Sequence, residues 1–334
     1  MELSKKRIDW IDIAKGISII LVVYGHSGFN NVPFFGSWLC VFRMPFFFFV
    51  SGLLFSGYKY ETIIPFLGKR VKTLYRPYFI FSAMLMLGIW ILNDPAYSTP
   101  GHMLRYIITG WEGWALWFIP VLSLTEILFY YIARIHLNVS KKIVILVFFA
   151  VIGRLFYLLD VPNPYNVWFV LTSVLFYGLG SFCKTYVIEL SRKKLSKIFV
   201  GAIAAFILSL VYLIAPPNTL PEFAVNNMAS TWIYPAALGG TLFMCTMAMA
   251  SERFKNVIVQ KVLYFIKYMG KNSYVVLAFH QIVLQLLGKT GIFNNGSLQR
   301  LMMWVILILL IYSINNYCPS IIGRQKPISR ENKN

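Results

Sequence analysis

Acid is scarce in this sequence: 12 Asp and Glu stand against 31 Lys and Arg, a formal net charge of +19. Charge of either sign is also scarce, at 13% of residues where ordinary soluble domains carry about 25%. With 58% of 334 residues hydrophobic, the chain has too few polar groups to cover a water-facing surface. A soluble globular enzyme is excluded, and disorder is excluded because it requires low hydrophobicity. The four cysteines (Cys40, Cys183, Cys245 and Cys318) lie in or beside apolar runs with no short spacing. That argues against a disulfide framework or a zinc site, and no metal is expected. There is no P-loop, GxSxG, HExxH or dinucleotide fingerprint, which removes nucleotide hydrolases, metalloproteases and soluble redox modules. The basic segments belong to no groove-reading fold, so nucleic acid is not the expected partner.

Long apolar runs are what the chain has instead. A bilayer core about 30 Å thick takes about 20 apolar helical residues. Ten runs qualify, near 10–29, 38–57, 74–92, 114–133, 143–159, 165–182, 198–215, 231–250, 272–288 and 301–318. The expected fold is therefore an all-α integral membrane protein of about ten transmembrane helices, one membrane domain over 1–334. Placing the N-terminus in the cytoplasm puts 25 of the 31 cations in inside segments. Arg105, Lys289 and Arg300 remain in outside loops, beside Asp94, Glu112, Asp160 and Glu222. This is the distribution that the positive-inside rule demands, so both termini are expected in the cytoplasm.

Charged groups within spans are costly and therefore mark candidate sites. Here they are Lys15, His26, Arg43, Glu126, Arg154 and His280. Lys15 and His26 are eleven residues apart, so on one helix they share a face about 16 Å apart along the axis. That length approximates an extended pantetheine arm. The same spacing also fits a lysine snorkelling to headgroups and a histidine satisfied inside the bundle. Lys69, Arg70, Lys72 and Arg76 crowd the entry to the third run, before Pro77. They could grip the phosphates of a nucleotide-bearing donor or serve as a positive-inside anchor. Glu126 and Arg43 could pair across the bundle or meet a substrate, and His280 could be a core histidine or a second site residue.

These segments together resemble the acyltransferase 3 family of bacterial multi-pass membrane acyltransferases, and its fucose 4-O-acetylase-like branch most of all. The resemblance rests on RIDWIDIAKGISIILVVYGH, which carries Lys15 and His26, and on RMPFFFFVSGLLF with Pro45, Phe47, Ser51 and Gly52. KRVKTLYRPY, LWFIPVLSLTEI and GKNSYVVLAFH, with Asn272 and His280, follow in order. The family often has an Arg-x-x-Arg pair after its second span. Here Lys69 and Lys72 fit one register, and Arg70 with Thr73 the other. Arg43 stands where this branch often has His before Met-Pro, so no acid–base role passes to that position.

The resemblance implies transfer of an acyl group, most often acetyl, from cytosolic acetyl-CoA or another acyl-CoA to a sugar hydroxyl. The acceptor would be a lipid-linked or surface glycan of the cell envelope, such as an O-antigen, capsule or exopolysaccharide unit. The setting would be the bacterial cytoplasmic (inner) membrane. His26 would be the general base, since imidazole titrates near neutrality. Lys15, Lys69, Arg70, Lys72 and Arg76 would hold the CoA phosphates. Arg43, Glu126, His280, Ser51 and Asn272 are further site candidates. A multi-pass transporter of a glycan or small molecule is the alternative, although the inverted repeats that would favour it are not visible in the sequence.

Overall fold

The structure, a computed structural model, describes residues 8–27, 35–92, 99–110, 114–159, 161–162, 166–214, 233–291 and 296–323. The terminal cations before 8 and after 323, the loop 216–230, and Asp94, Glu112, Asp160 and Glu222 lie outside the described residues. Among the described residues there are helices and no strand. Backbone groups in hydrocarbon must be satisfied within the segment itself, and in an open chain helix alone achieves this.

Each of the ten apolar runs carries a helix. They are α1 (Asp9–His26), α2 (Phe35–Leu53), α4 (Arg76–Leu92), α6 (Phe118–Arg134), α7 (Val139–Leu158), α8 (Val167–Phe182), α10 (Leu195–Ser209), α11 (Ile233–Ser251), α13 (Ser273–Lys289) and α14 (Gly296–Tyr317). Four stretches are long and apolar enough to cross a bilayer: Gly36–Lys59, Ile63–Leu92, Ala115–Arg134 and Gly296–Tyr317. A fifth arises if α8 and the helix after it, bent by 52° to each other, make one broken span. Others fall short for visible reasons. Asp9, Asp12 and Lys15 charge α1, and the 15 residues of α10 rise only about 22 Å.

Four helices stand where the sequence suggested only connections: α3 (Ile63–Arg70), α5 (Pro100–Thr109), α9 (Lys184–Arg192) and α12 (Val257–Lys271). They are short and mix polar with apolar positions. Local signals set their ends. Thr99 caps α5 by accepting from His102 N at 3.3 Å, Pro100 fills its first turn, and Gly110 leaves it at φ 92°. Asn256 caps α12 by accepting from Ile258 N at 2.9 Å and Val259 N at 3.3 Å.

The chain forms two compact units. The first, Met1–Tyr58 with Leu124–Ser273, is built around α2, whose Phe42, Phe46, Phe48 and Phe49 are buried. Close helix approach replaces the hydrophobic effect as the organising force here, because lipid is as apolar as leucine. A Cβ on Gly52 of α2 would lie 1.9 Å from Tyr177 O, and one on Gly180 of α8 would lie 2.1 Å from Phe49 O. Only glycine lets α2 and α8 meet so closely. Trp38 Nε1 donates to Ser209 Oγ at 2.9 Å, tying α2 to α10.

The second unit, Lys59–Ser123 with Tyr274–Asn334, packs α4 against α13. Phe81 meets the rings of Tyr274 and Phe279 edge-on at 5.3 and 5.1 Å. Lys289 Nζ donates to Ile91 O and Leu92 O at 2.7 Å each, satisfying carbonyls at the end of α4. Outer faces are apolar on both units. Val144, Val147, Phe148, Val151 and Leu155 form an exposed stripe on α7, as Leu301, Val305, Leu309 and Tyr312 do on α14. Such stripes are what lipid contact requires.

Candidate functional site

In the first unit, α1 runs unbroken from Asp9 to His26, so Lys15 and His26 keep the common face and the separation of about 16 Å. Their surroundings differ. Lys15 is half-buried, whereas His26 is the last residue of its helix and is exposed. The imidazole therefore stands at an accessible helix end rather than among packed helices. The base of the helix is fixed by α12. A Cβ on Gly16 would lie 2.0 Å from Ile266 O, and one on Gly270 would lie 2.2 Å from Asp12 O. Lys267 Nζ pairs with Asp9 Oδ2 at 2.8 Å just beyond that crossing. Beside them Glu252 has its carboxyl pushed above the usual range, by burial first and by Asp9 next, with Lys267 and Arg253 pulling the other way.

The same unit buries two opposite charges. Arg43 lies on α2 and Glu126 on α6, both almost fully enclosed. Tyr177 of α8 donates its hydroxyl to Glu126 Oε1 at 2.9 Å, which holds the carboxyl in one orientation. The hydroxyls of Ser18, Thr125, Ser173 and Thr241 are also buried, each without a hydrogen-bond partner. Ser51 donates to Phe47 O at 2.8 Å, one turn back on α2, so its observed bond is an internal helix contact. Asn272 Nδ2 donates to Tyr268 O at 2.8 Å and closes α12 before α13 begins. The Gly-x-Asn-Ser segment thus has a structural logic: Gly270 permits the crossing with α1, and Asn272 ends the helix.

The second unit carries the other cations. Sequence placed them before a helix, but they lie within one continuous stretch, Ile63–Leu92. Val71–Tyr75 forms a widened π turn between α3 and α4, in which Arg76 N donates to Val71 O. Pro77 explains the widening: it lacks the N–H an α turn needs and would clash with the carbonyl four residues back. Leu74 O in that turn accepts the hydroxyl of Tyr274 at 2.7 Å. Lys69, Lys72 and Arg76 are exposed, and Arg70 is half-buried with its guanidinium 5.0 Å from the ring centre of Phe66. Lys69 lies 5.9 Å from the centre of Tyr60.

His280 is the buried histidine, 1% exposed on α13. Its Nδ1 lies 2.9 Å from Val276 O and 3.0 Å from Leu277 O. Two carbonyls can only accept, so Nδ1 carries a proton. The next residue, Gln281, accepts Ala115 N at the head of α6. Tyr177 and Gln281 were not marked by the sequence. Neither is charged, and uncharged polar residues within apolar runs give no signal until a partner is seen.

Apolar outer stripes and enclosed charges define a polytopic helical membrane protein. The chain belongs to the acyltransferase 3 family, whose family model, an acyltransferase domain, matches residues 8–314. No curated protein and no solved structure matches it. Acyl transfer is accordingly the general activity of this enzyme.

Proposed function

We propose that the protein is a membrane-bound O-acyltransferase that moves acetyl, or another short acyl group, from cytosolic acyl-CoA to a sugar hydroxyl of a cell-envelope glycan. Its place is the bacterial inner membrane, with about ten spans and both termini in the cytoplasm. The observation that carries the reading is the family match over residues 8–314, which includes both Lys15 and His26 on one continuous helix. His26 accepts the proton of the acceptor hydroxyl as its oxygen attacks the thioester carbonyl. The CoA sulfur leaves, and the imidazolium returns the proton to it. Lys15 and the Lys69–Arg76 cations hold the CoA phosphates, a role that the exposure of Lys69, Lys72 and Arg76 supports. Acceptor and donor together cover the exposed imidazole and exclude the water that would otherwise hydrolyse the thioester. Membranes bearing the enzyme, given radiolabelled acetyl-CoA, transfer label to the glycan fraction. Label that remains in CoA or appears only as free acetate contradicts the proposal.

A further inference from the structure

The helix α12 has three sectors rather than two. At about 100° per residue, Val259, Leu263, Ile266 and Gly270 fall on one side, and this side packs on α1. A second sector carries Ile258, Val262 and Phe265, apolar and exposed at 73%, 53% and 38%. The third carries Gln260, Lys261, Tyr264, Lys267 and Lys271. A helix wholly in water has no use for the second sector, and a spanning helix has no room for the third. With 15 residues, a rise of about 22 Å, α12 is also too short to span. The arrangement suits a helix lying in the plane of the membrane surface, with its apolar flank in acyl chains and its lysines at headgroup level.

The basic sector is also concave. Lys255, Val257, Gln260, Lys261, Tyr264 and Lys267 line an open space of about 510 Å³. Cations dominate it: Lys255 and Lys261 are exposed, while Lys267 is partly engaged by Asp9. The Tyr264 ring, 74% exposed, offers the amphipathic surface common at the headgroup boundary.

We infer that α12 is an interfacial helix whose Lys255–Lys267 groove binds the phosphate of anionic phospholipid headgroups. Charge complementarity selects an anionic lipid over a zwitterionic one, and the adjoining apolar sector selects a lipid over a free phosphate, because the acyl chains lie beside the groove. The inference rests on the membrane placement of the chain and is independent of which acyl group is moved.

The test uses the full chain in phosphatidylcholine nanodiscs containing phosphatidylglycerol that bears a photoreactive headgroup, with cross-links mapped by peptide. Label should concentrate between Arg253 and Lys271 and be displaced by unlabelled phosphatidylglycerol but not by phosphatidylcholine. A lysine at an anionic surface contributes about fivefold in affinity, so Lys255→Gln with Lys261→Gln should weaken labelling about thirtyfold. Lys193→Gln with Lys194→Gln, an equal loss of charge in another basic segment, should leave it unchanged. The single reversal Lys261→Glu gives the same comparison with one side chain altered. Equal displacement by phosphatidylcholine, or equal loss in both double variants, overturns the inference. Displacement by soluble coenzyme A or inorganic phosphate also overturns it, because the groove would then serve a free phosphate ligand. Labelling proceeds without any acyl transfer, so its failure is separate from a failure of the proposed activity.

Discussion

Two histidines differ most in character at the scale of the residue. His26 is accessible at a helix end, while His280 is enclosed with its Nδ1 proton committed to carbonyls. A base must reach the proton it removes, and His26 meets that condition without rearrangement. Lys15→Ala should raise the acyl-CoA concentration needed for half-maximal transfer several-fold while leaving the rate at saturation within about threefold, a split that steady-state kinetics reads. The hydrogen bond from Tyr177 to Glu126 invites a stability measurement. Tyr177→Phe should cost about 1–3 kcal/mol, seen as a lower midpoint of thermal unfolding in detergent. An unchanged midpoint would show that Glu126 finds equal partners without Tyr177. Charged residues within apolar runs were legible in the sequence because each is a visible exception to its surroundings. The buried Tyr177 hydroxyl was not, since tyrosine belongs in such runs.

Elements are held by contacts between backbones, and glycines decide which helices can meet. The crossing of α1 and α12 depends on Gly16 and Gly270, where an added methyl would strike backbone oxygens that cannot rotate away. Gly270→Ala should therefore lower the yield of folded protein and, with it, transfer. Gly68→Ala is the matched control, because no atom lies within 4 Å of its added methyl. It should hold or raise stability by about 0.5–1 kcal/mol through helix propensity, as read by thermal unfolding. The helices of the ten apolar runs were readable because a long apolar run is nearly sufficient evidence for a helix in lipid. The four helices between those runs were not. α3, α5, α9 and α12 mix polar and apolar positions, and a search for 20-residue apolar windows passes over them. The π turn at Val71–Tyr75 was hidden for a different reason. Pro77 read as a helix start, where proline is welcome, yet here the helix runs through it by widening.

At the scale of the whole molecule, the charge distribution predicts orientation. Reporter fusions after Lys142 and Lys255 should read cytoplasmic, and one at Asn218, outside the described residues, should read external. A cytoplasmic signal at Asn218 would mean an even number of crossings between Lys142 and that point, and the ten-span arrangement, which has three there, would fail. The apolar stripes on α7 and α14 agree with lipid contact on the outside of each unit, while the cations gather at helix ends and in the short helices. In the proposed function donor binding belongs to this scale as well, since Lys15 and the cations of 69–76 lie far apart in the sequence. Neutralising Lys72 and Arg76 together should raise the acyl-CoA requirement by tenfold or more, with both fold and orientation retained.

The central claim, that His26 removes the proton from the acceptor hydroxyl, is tested most directly by the transfer rate of His26→Gln from radiolabelled acetyl-CoA to the glycan at saturating donor. Loss of a general base costs about 10²–10⁴-fold, and glutamine retains much of the size of the ring. The rate should therefore fall at least about a hundredfold, with acyl-CoA binding and membrane insertion preserved. Transfer by His26→Gln at the unmodified rate, with His280→Gln inactive but folded, would contradict the account and move the base to the buried histidine.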